Sequence, residues 1–259
     1  MKRTRMKEMP KAPPEIATLL EGGSCYDSSS SPEARVFFVD KGEGLFLKKG
    51  KKGSLAREAQ MGDYFAKKGL SPAVVSYVSA EEDWLLTKSA RGEDATARVH
   101  LEDPRRLAAV LGEALRALHE TEAGDCPVPD RMAEYRRTVE ETRQRGLGDL
   151  SLFGEGTFSS LDAAYDVYLG ARDSFKSEVL IHGDYCLPNV ILKDFHVSAF
   201  IDLGNGGIGD RHVDLFWGAW TLWFNLKTNA YKERFFDAYG REKIEEERLL
   251  AVAAAEVFG

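Results

Sequence analysis

The chain has 259 residues, 43% hydrophobic and 30% charged, with a net charge of −7. That length and composition suit one large domain or two lobes around a substantial core, and argue against a disordered chain. The acidic balance argues against a nucleic-acid partner. Cys25, Cys126 and Cys186 are odd in number and unpaired in spacing, which disfavours a disulfide framework or a zinc site.

The opening "MKRTRMKEMPKAPPE" is basic but lacks the apolar stretch of a signal peptide. The most apolar run, "FWGAWTLWF", is about half the length a bilayer span needs. A cytoplasmic protein without a membrane partner is expected. Charge is uneven along the chain: residues 1–90 hold 15 Lys+Arg against 12 Asp+Glu, and the rest hold 20 against 30. A solubilising acidic surface explains this. So does an N-terminal part that meets anions and a C-terminal part that meets cations.

In chain order, residues 1–14 read as a loose tail with Pro10, Pro13 and Pro14. "RVFFVD" and "GLFLKK" are β-rich runs across the glycine-bearing "KGEG". "SLAREAQMGDYFAKKG" predicts a helix that stops at Gly69. "AVVSYVS" and "WLLTKS" predict another strand pair across "AEED". The pattern changes near residue 90. In "LAAVLGEALRALHE" the apolar residues recur at helical spacing, and "RMAEYRRTVEETRQRG" and "SSLDAAYDVYLGARDSF" continue the helical run. "EVLIHGD" returns to strand, and helix resumes from Val213. The expected division is a tail (1–14), an N-terminal lobe (15–90, with a hinge at 85–90) and a C-terminal lobe (91–259).

The stretch "HGDYCLPNVILKDFHVSAFIDLG" carries the chemistry. "VILK" and "VSAFID" predict two strands joined at "DFH". Folded about Phe195, the hairpin returns Asp202 to the level of Asn189. Asp184 lies five residues upstream of Asn189. Hard cations such as Mg²⁺ need oxygen ligands, which Asn189 and Asp202 supply. Asp184 then remains to accept a proton from a hydroxyl. Singly, His-Gly-Asp can be a turn, and so can a lone loop asparagine; the conjunction carries the inference.

With these residues in view, the chain resembles the bacterial aminoglycoside O-phosphotransferases, particularly the 3′-phosphotransferase (kanamycin kinase) branch. "HGDYCLPN" resembles its catalytic loop, and "FIDLGNGGIGDRHVDL" its metal-binding segment. "LHETEAGDCP" has its Leu-His, six residues, then Cys-Pro. "SPEARVFFV" and "LFLKKG" resemble its nucleotide-covering loop and lysine strand. The likeness spans roughly residues 20–259. It implies an α+β, protein-kinase-like fold of two lobes. The N-terminal lobe would be an antiparallel sheet with one helix, and the larger C-terminal lobe mainly helical.

The resemblance also implies roles. Asp184 would be the catalytic base, and Asn189 and Asp202 the Mg²⁺ ligands. Lys48 would pair with the ATP α/β-phosphates, held by Glu58. Ser31 would touch phosphate and Phe46 would stack on adenine. The hinge backbone at Lys88 and Ala90 would bond the base, from ATP or alternatively GTP. His182 would buttress the catalytic loop, and Arg211 and Asp214 would stabilise the turn and helix after the metal-binding segment. Glu155, Asp149, Glu256 and Phe258 would meet the aminoglycoside, with a monomer expected.

The chain departs from the family pattern in places. It ends "AAEVFG", with Ala255 in place of an acid and Gly259 as an extension, and Asn205 replaces a frequent arginine. Where the family places charges, this chain has Trp217, Trp220, Trp223 and Phe224. These form either core packing or an aromatic wall beside the acceptor. The alternatives are a choline-, macrolide- or sugar-kinase-like acceptor, or a nucleotide-binding protein without catalysis.

Overall fold

The computed structural model describes residues 3–29, 35–153 and 157–259. The chain runs β1 (Thr4–Arg5), α1 (Pro14–Leu20), β2 (Ser24–Asp27), β3 (Arg35–Asp40), β4 (Leu45–Lys51), α2 (Ala56–Lys67), β5 (Val74–Ser79), β6 (Glu82–Lys88) and β7 (Glu93–Asp94). There follow α3 (Arg98–Leu101), α4 (Pro104–His119), α5 (Arg131–Gln144), α6 (Leu161–Ala171), β8 (Val179–Ile181), β9 (Val190–Lys193) and β10 (His196–Phe200). The last elements are β11 (Gly207–Gly209), α7 (Arg211–Leu226), α8 (Lys232–Tyr239) and α9 (Glu246–Glu256).

The chain forms two compact units, one of residues 1–95 with 188–205, the other of 96–187 with 206–259. The first unit is built on a six-stranded sheet of order β1-β2-β3-β4-β6-β5. Its register explains its core. Phe37 and Val39 of β3, Leu47 of β4 and Leu86 of β6 face one way, by the period of two along each strand. They bury against Ile16 and Leu20 of α1. Tyr26, Phe38, Phe46 and Lys48 face the other way.

The N-terminal residues, read from sequence as a loose tail, are part of this sheet. Thr4 and Arg5 pair with Asp27 and Tyr26, and the Met6 amide donates to the Cys25 carbonyl at 2.9 Å. Met6, Met9 and Ala12 pack on the α1 core. The prolines that suggest a tail leave room for a short edge strand upstream.

The sequence boundary near residue 90 also differs from the contacts. Glu93 and Asp94 pair with Leu192 and Ile191, so β7, β9 and β10 form a three-stranded sheet within the first unit. The Phe200 amide donates to the Leu70 carbonyl at 2.8 Å and adds to it. A change in composition marks where chain character shifts, not where a later hairpin returns.

The second unit is mainly helical. One core gathers Met132 and Tyr135 of α5, Tyr168 of α6, Val213 of α7 and Ala251 and Val252 of α9. Helix starts follow local chemistry. Asp103, Asp130, Ser160 and Asp210 cap α4, α5, α6 and α7 through side-chain oxygens. Helices α4 and α8 approach so closely that a Cβ at Gly112 would stand 2.3 Å from the Phe235 carbonyl.

Candidate active site

In the first unit, β4 and α2 bring a lysine to a glutamate. Lys48 Nζ donates to Glu58 Oε1 at 3.0 Å and Oε2 at 2.9 Å. It also donates to Asp202 Oδ1 at 2.7 Å. Burial alone pushes the Lys48 ammonium down. The Asp202 and Glu58 carboxylates outweigh it and hold its pKa above the usual lysine value. Burial pushes the Glu58 carboxyl up, against the pull of Lys48.

Glu58 is placed by a residue the sequence reading passed over. Asp83 is fully buried in β6 and accepts from the Leu55 amide at 2.9 Å, one residue before α2. It also accepts from Ser79 Oγ at 2.6 Å and Tyr77 Oη at 3.0 Å. One buried carboxylate thus ties the β5–β6 hairpin to the start of the helix.

Asp202 arrives on the β9–β10 hairpin. Asp194 and Phe195 both have positive φ, 54° and 61°, as a two-residue type I′ turn requires. Pairing runs from Lys193–His196 to Val190–Phe200, with a bulge between Val197 and Ala199. The Ile201 amide then donates to the Asn189 carbonyl at 3.0 Å, so Asp202 stands one residue past the level of Asn189. The bulge adds one residue to one strand and so changes which face each later side chain takes. Asp202 itself has φ 58°, a left-handed backbone that aspartate tolerates better than most residues. Asn189 is 6% exposed and ends a 3₁₀ turn, Leu187–Asn189.

Phe46 shares the Lys48 face and contacts Phe38 across the sheet, ring centroids 5.3 Å apart. At the end of β6 the Lys88 amide donates to the Ala73 carbonyl, and the Ser89 amide to the Gly44 carbonyl, each at 2.9 Å. Ala90 follows directly. Ser31 and Glu155 lie outside the described residues.

Asp184 belongs to the second unit, in a loop held from several sides. Asp214 of α7, fully buried, accepts the His182 amide on Oδ2 and the Gly183 amide on Oδ1, both at 2.7 Å. His119 Nε2 lies 3.1 Å from Asp214 Oδ2, and His119 Nδ1 lies 2.8 Å from Tyr239 Oη. Arg211 donates to the same Tyr239 oxygen at 3.2 Å. Burial pushes the His119 pKa down, so the ring is neutral. The network then assigns the proton to Nε2, facing the carboxylate, with Nδ1 accepting from Tyr239.

Further along, the Leu187 amide donates to Thr221 Oγ1 at 3.1 Å, and Tyr185 Oη donates to the Leu111 carbonyl at 2.9 Å. His182 Nδ1 accepts the Asp184 amide at 3.3 Å, which agrees with a buttressing residue. Burial pushes the Cys186 thiol up, and nearby Asp184 adds to it, so this cysteine is a poor nucleophile.

The acceptor candidates separate. Glu256 is buried and accepts from Tyr135 Oη at 2.7 Å and from the Trp217 indole. Burial pushes its carboxyl up to about 7, and the Asp184 charge adds to the rise. Asp149 is joined to the C-terminal segment through its amide, which donates to the Val257 carbonyl at 2.8 Å; its carboxylate accepts from Ser151. Phe258 is a correction. It is 1% exposed and packs edge-on against Tyr165 at 5.7 Å, so it fills the core. An aromatic near a chain end reads as a surface contact until packing shows otherwise.

Trp217, Trp220 and Trp223 are half-buried, between the two readings the sequence allowed. Trp217 and Trp220 meet edge-on at 5.3 Å, and Trp220 stacks on Phe224 at 4.9 Å. The Trp220 indole donates to the Leu152 carbonyl at 2.7 Å. Among the described residues no helix is long and apolar enough to cross a membrane.

Comparison with known proteins identifies the family. A family model described as "Phosphotransferase enzyme family" matches residues 29–251. A probable aminoglycoside 3′-phosphotransferase of Lactococcus lactis subsp. lactis (strain IL1403) is 43% identical, over 99% of this chain and 100% of its own. The aminoglycoside 3′-phosphotransferase of Streptomyces fradiae is 35% identical over 64% of each chain. The crystal structure of a type VIII aminoglycoside-3′-phosphotransferase superposes with a TM-score of 0.75 at 25% identity, covering 95% of this chain and 97% of that one.

Fold and site together define an enzyme of the phosphotransferase class with a protein-kinase-like fold. More narrowly, the chain belongs to the phosphotransferase enzyme family whose model spans most of its length.

Proposed function

We propose that the protein transfers the γ-phosphoryl group of ATP to the 3′-hydroxyl of an aminoglycoside antibiotic and so confers resistance. The observation that carries the nucleotide half is the contact of Lys48 with both Glu58 and Asp202. A lysine held by a helix glutamate beside a second carboxylate is what phosphate binding in a protein-kinase-like site requires. The whole-length relative supports the acceptor half.

The donor set fits Mg²⁺. Asp202 and Asn189 offer hard oxygens at one end of a rigid hairpin, and the Asp202 side chain is 46% exposed. Bound metal would neutralise phosphate charge. Lys48 binds the phosphate oxygens, and Glu58 keeps its ammonium in place. Phe46 offers a face to the base, while Lys88 and Ala90 offer backbone groups. Asp184 accepts the proton of the sugar hydroxyl as the new O–P bond forms and the bond to the ADP leaving group breaks. Glu256 and Asp149 attract the amines of the acceptor. The proposed setting is the cytoplasm, with the enzyme acting as a monomer.

The test is an ADP-release assay across aminoglycosides with and without the 3′-hydroxyl. Turnover should require ATP, Mg²⁺ and that hydroxyl. Acceptor-stimulated turnover that is equal with and without the 3′-hydroxyl would reject the regiochemistry, and rates no higher than the acceptor-free background for every aminoglycoside would reject the acceptor. Asp184→Ala should abolish turnover while sparing ATP binding.

A second reading has one observation in its favour. Helix α7 carries no acid from Leu215 to Leu226 and presents half-buried tryptophans instead. Less acidic lining suits another small hydroxylated acceptor. Choline, macrolides and simple sugars in the same assay decide between the two.

A further inference from the structure

Helix α7 carries a row of tryptophans that the function proposed above does not use. Asp214, Trp217 and Thr221 stand at positions i, i+3 and i+7, on one face of that helix. Asp214 accepts the His182 and Gly183 amides, and Thr221 Oγ1 accepts the Leu187 amide at 3.1 Å. The helix is therefore bonded to the catalytic loop at two levels, before and after Asp184. Trp217 lies on the turn between these anchors, so its ring belongs to the same rigid frame as that aspartate.

What Trp217 meets is an acceptor candidate. Its indole donates to the Glu256 carboxylate, which stands near enough to Asp184 for the two charges to interact. Val257 follows directly, and its carbonyl accepts the Asp149 amide at 2.8 Å. Asp149 Oδ1 accepts the Ser151 amide at 2.8 Å and the Ser151 hydroxyl at 2.6 Å, which starts the short turn Ser151–Phe153. From that turn the Leu152 carbonyl accepts the Trp220 indole N–H at 2.7 Å. Trp220 meets Trp217 edge-on, ring centroids 5.3 Å apart. The contacts close a circuit from Trp217 through Glu256 and Val257, then residues 149–153, to Trp220 and back.

An indole offers one N–H donor and no acceptor. Each of these two tryptophans aims its donor at a different segment, while the rings brace each other. Packing alone requires no such donors; phenylalanine or leucine fills space as well.

We propose that Trp217 and Trp220 are positioning residues for the acceptor, holding the Glu256 carboxylate and the 149–153 segment through their indole N–H groups in fixed relation to the catalytic loop. This rests on the acceptor role proposed above for Glu256 and Asp149. A helix with no acid beyond Asp214 thereby serves a cationic acceptor, by keeping carboxylates from other segments in register with Asp184.

The test is steady-state kinetics with kanamycin and ATP, and calorimetric titration of kanamycin, on the full chain and on Trp217→Phe, Trp220→Phe and Phe224→Leu. Phenylalanine keeps an aromatic ring and removes the donor. Each Trp→Phe variant should raise the KM and Kd for kanamycin roughly three- to tenfold, the range of one lost hydrogen bond. The KM for ATP should match the parent, and kcat should stay within about twofold of it. Phe224 is 46% exposed and stacks on Trp220 at 4.9 Å, so it would belong to any aromatic wall that touched the acceptor directly. Phe224→Leu should bind kanamycin as the parent does.

Parent-like KM and Kd for kanamycin in either folded Trp→Phe variant would overturn the proposal. So would an equal rise in the KM for ATP with a matching fall in kcat, which marks general damage to the fold. A loss in Phe224→Leu as large as in the Trp→Phe variants would also overturn it, because the row would then be a contact wall. Thermal melts show which variants fold, and either Trp→Phe variant alone decides the question. If the parent itself binds no kanamycin, the acceptor reading fails first, a result distinct from all of these.

Discussion

Asp214 holds Gly183: its Oδ1 accepts the Gly183 amide at 2.7 Å, while its Oδ2 accepts the neighbouring His182 amide at the same distance. The loop that carries Asp184 is thus held through its backbone amides, with Tyr185 Oη and the His182 ring adding side-chain anchors. Asp214→Asn turns one accepting oxygen into a donor, so at least one buried amide loses its partner. The cost is about 1–3 kcal/mol. A lower melting temperature and a fall in kcat larger than any rise in the KM for ATP are expected. Thermal melts and steady-state kinetics check this, and an unperturbed kcat would show that the clamp is dispensable.

Lys48→Ala removes the cation shared by Glu58 and Asp202. The kcat/KM for ATP should fall at least about 100-fold, because misplaced phosphate contacts cost that much even when the fold persists. Initial rates at varied ATP and saturating aminoglycoside measure it. A loss confined to the aminoglycoside KM would contradict the assigned role.

Glu256 gives a pH signature. Its folded pKa, about 7, lies above the unfolded value of 4.5. Between those values the folded state holds more protons than the unfolded state. Its stabilising contribution is therefore complete below pH 4.5, declines as pH rises to about 7 and is gone above that. Glu256→Gln keeps an acceptor for Tyr135 without a charge and should flatten this decline. Denaturant melts from pH 5 to 8 on both proteins would reveal whether the slopes differ.

His119 acts in the opposite sense. Burial sets its folded pKa below the unfolded 6.5, so the unfolded state takes up the proton first. Stability from this site is full above pH 6.5 and falls as pH drops toward the lowered folded value. His119→Gln should remove that acid-side loss. Melts between pH 5 and 6.5 test it, with the Glu256→Gln background separating the two slopes.

Gly112→Ala places a methyl group against backbone atoms of α8, 2.3 Å from the Phe235 carbonyl and 2.9 Å from the Tyr239 nitrogen. Neither can move aside as a flexible side-chain end could. Destabilisation of about 1–3 kcal/mol is expected from the forced separation of α4 and α8. Because Tyr239 orders His119, kcat should also drop. A variant as stable as the parent would disprove the close approach.

Much of this was legible in the chain itself. Alternation in "RVFFVD" and "LFLKK" placed Lys48 and Phe46 on one face, since strand side chains have a strict period of two. Asn189 and Asp202 could be matched by counting outward from a turn. That count missed by one residue: Ile201, not Asp202, stands opposite Asn189, because a register that depends on a bulge near Ser198 cannot be read from residue spacing.

What the sequence determined by itself was therefore the kind of each element and the contacts within one strand, helix or hairpin. Those arise from backbone periodicities that act over a few residues. Tertiary structure decided the rest: that Asp214 meets His119 across 95 positions, that Glu256 is buried against Tyr135, that Phe258 belongs to the core, and that Arg3 lies over Phe38. No spacing rule reaches that far. Those pairings depend on which faces pack together once the core excludes water, and that is a property of the whole chain.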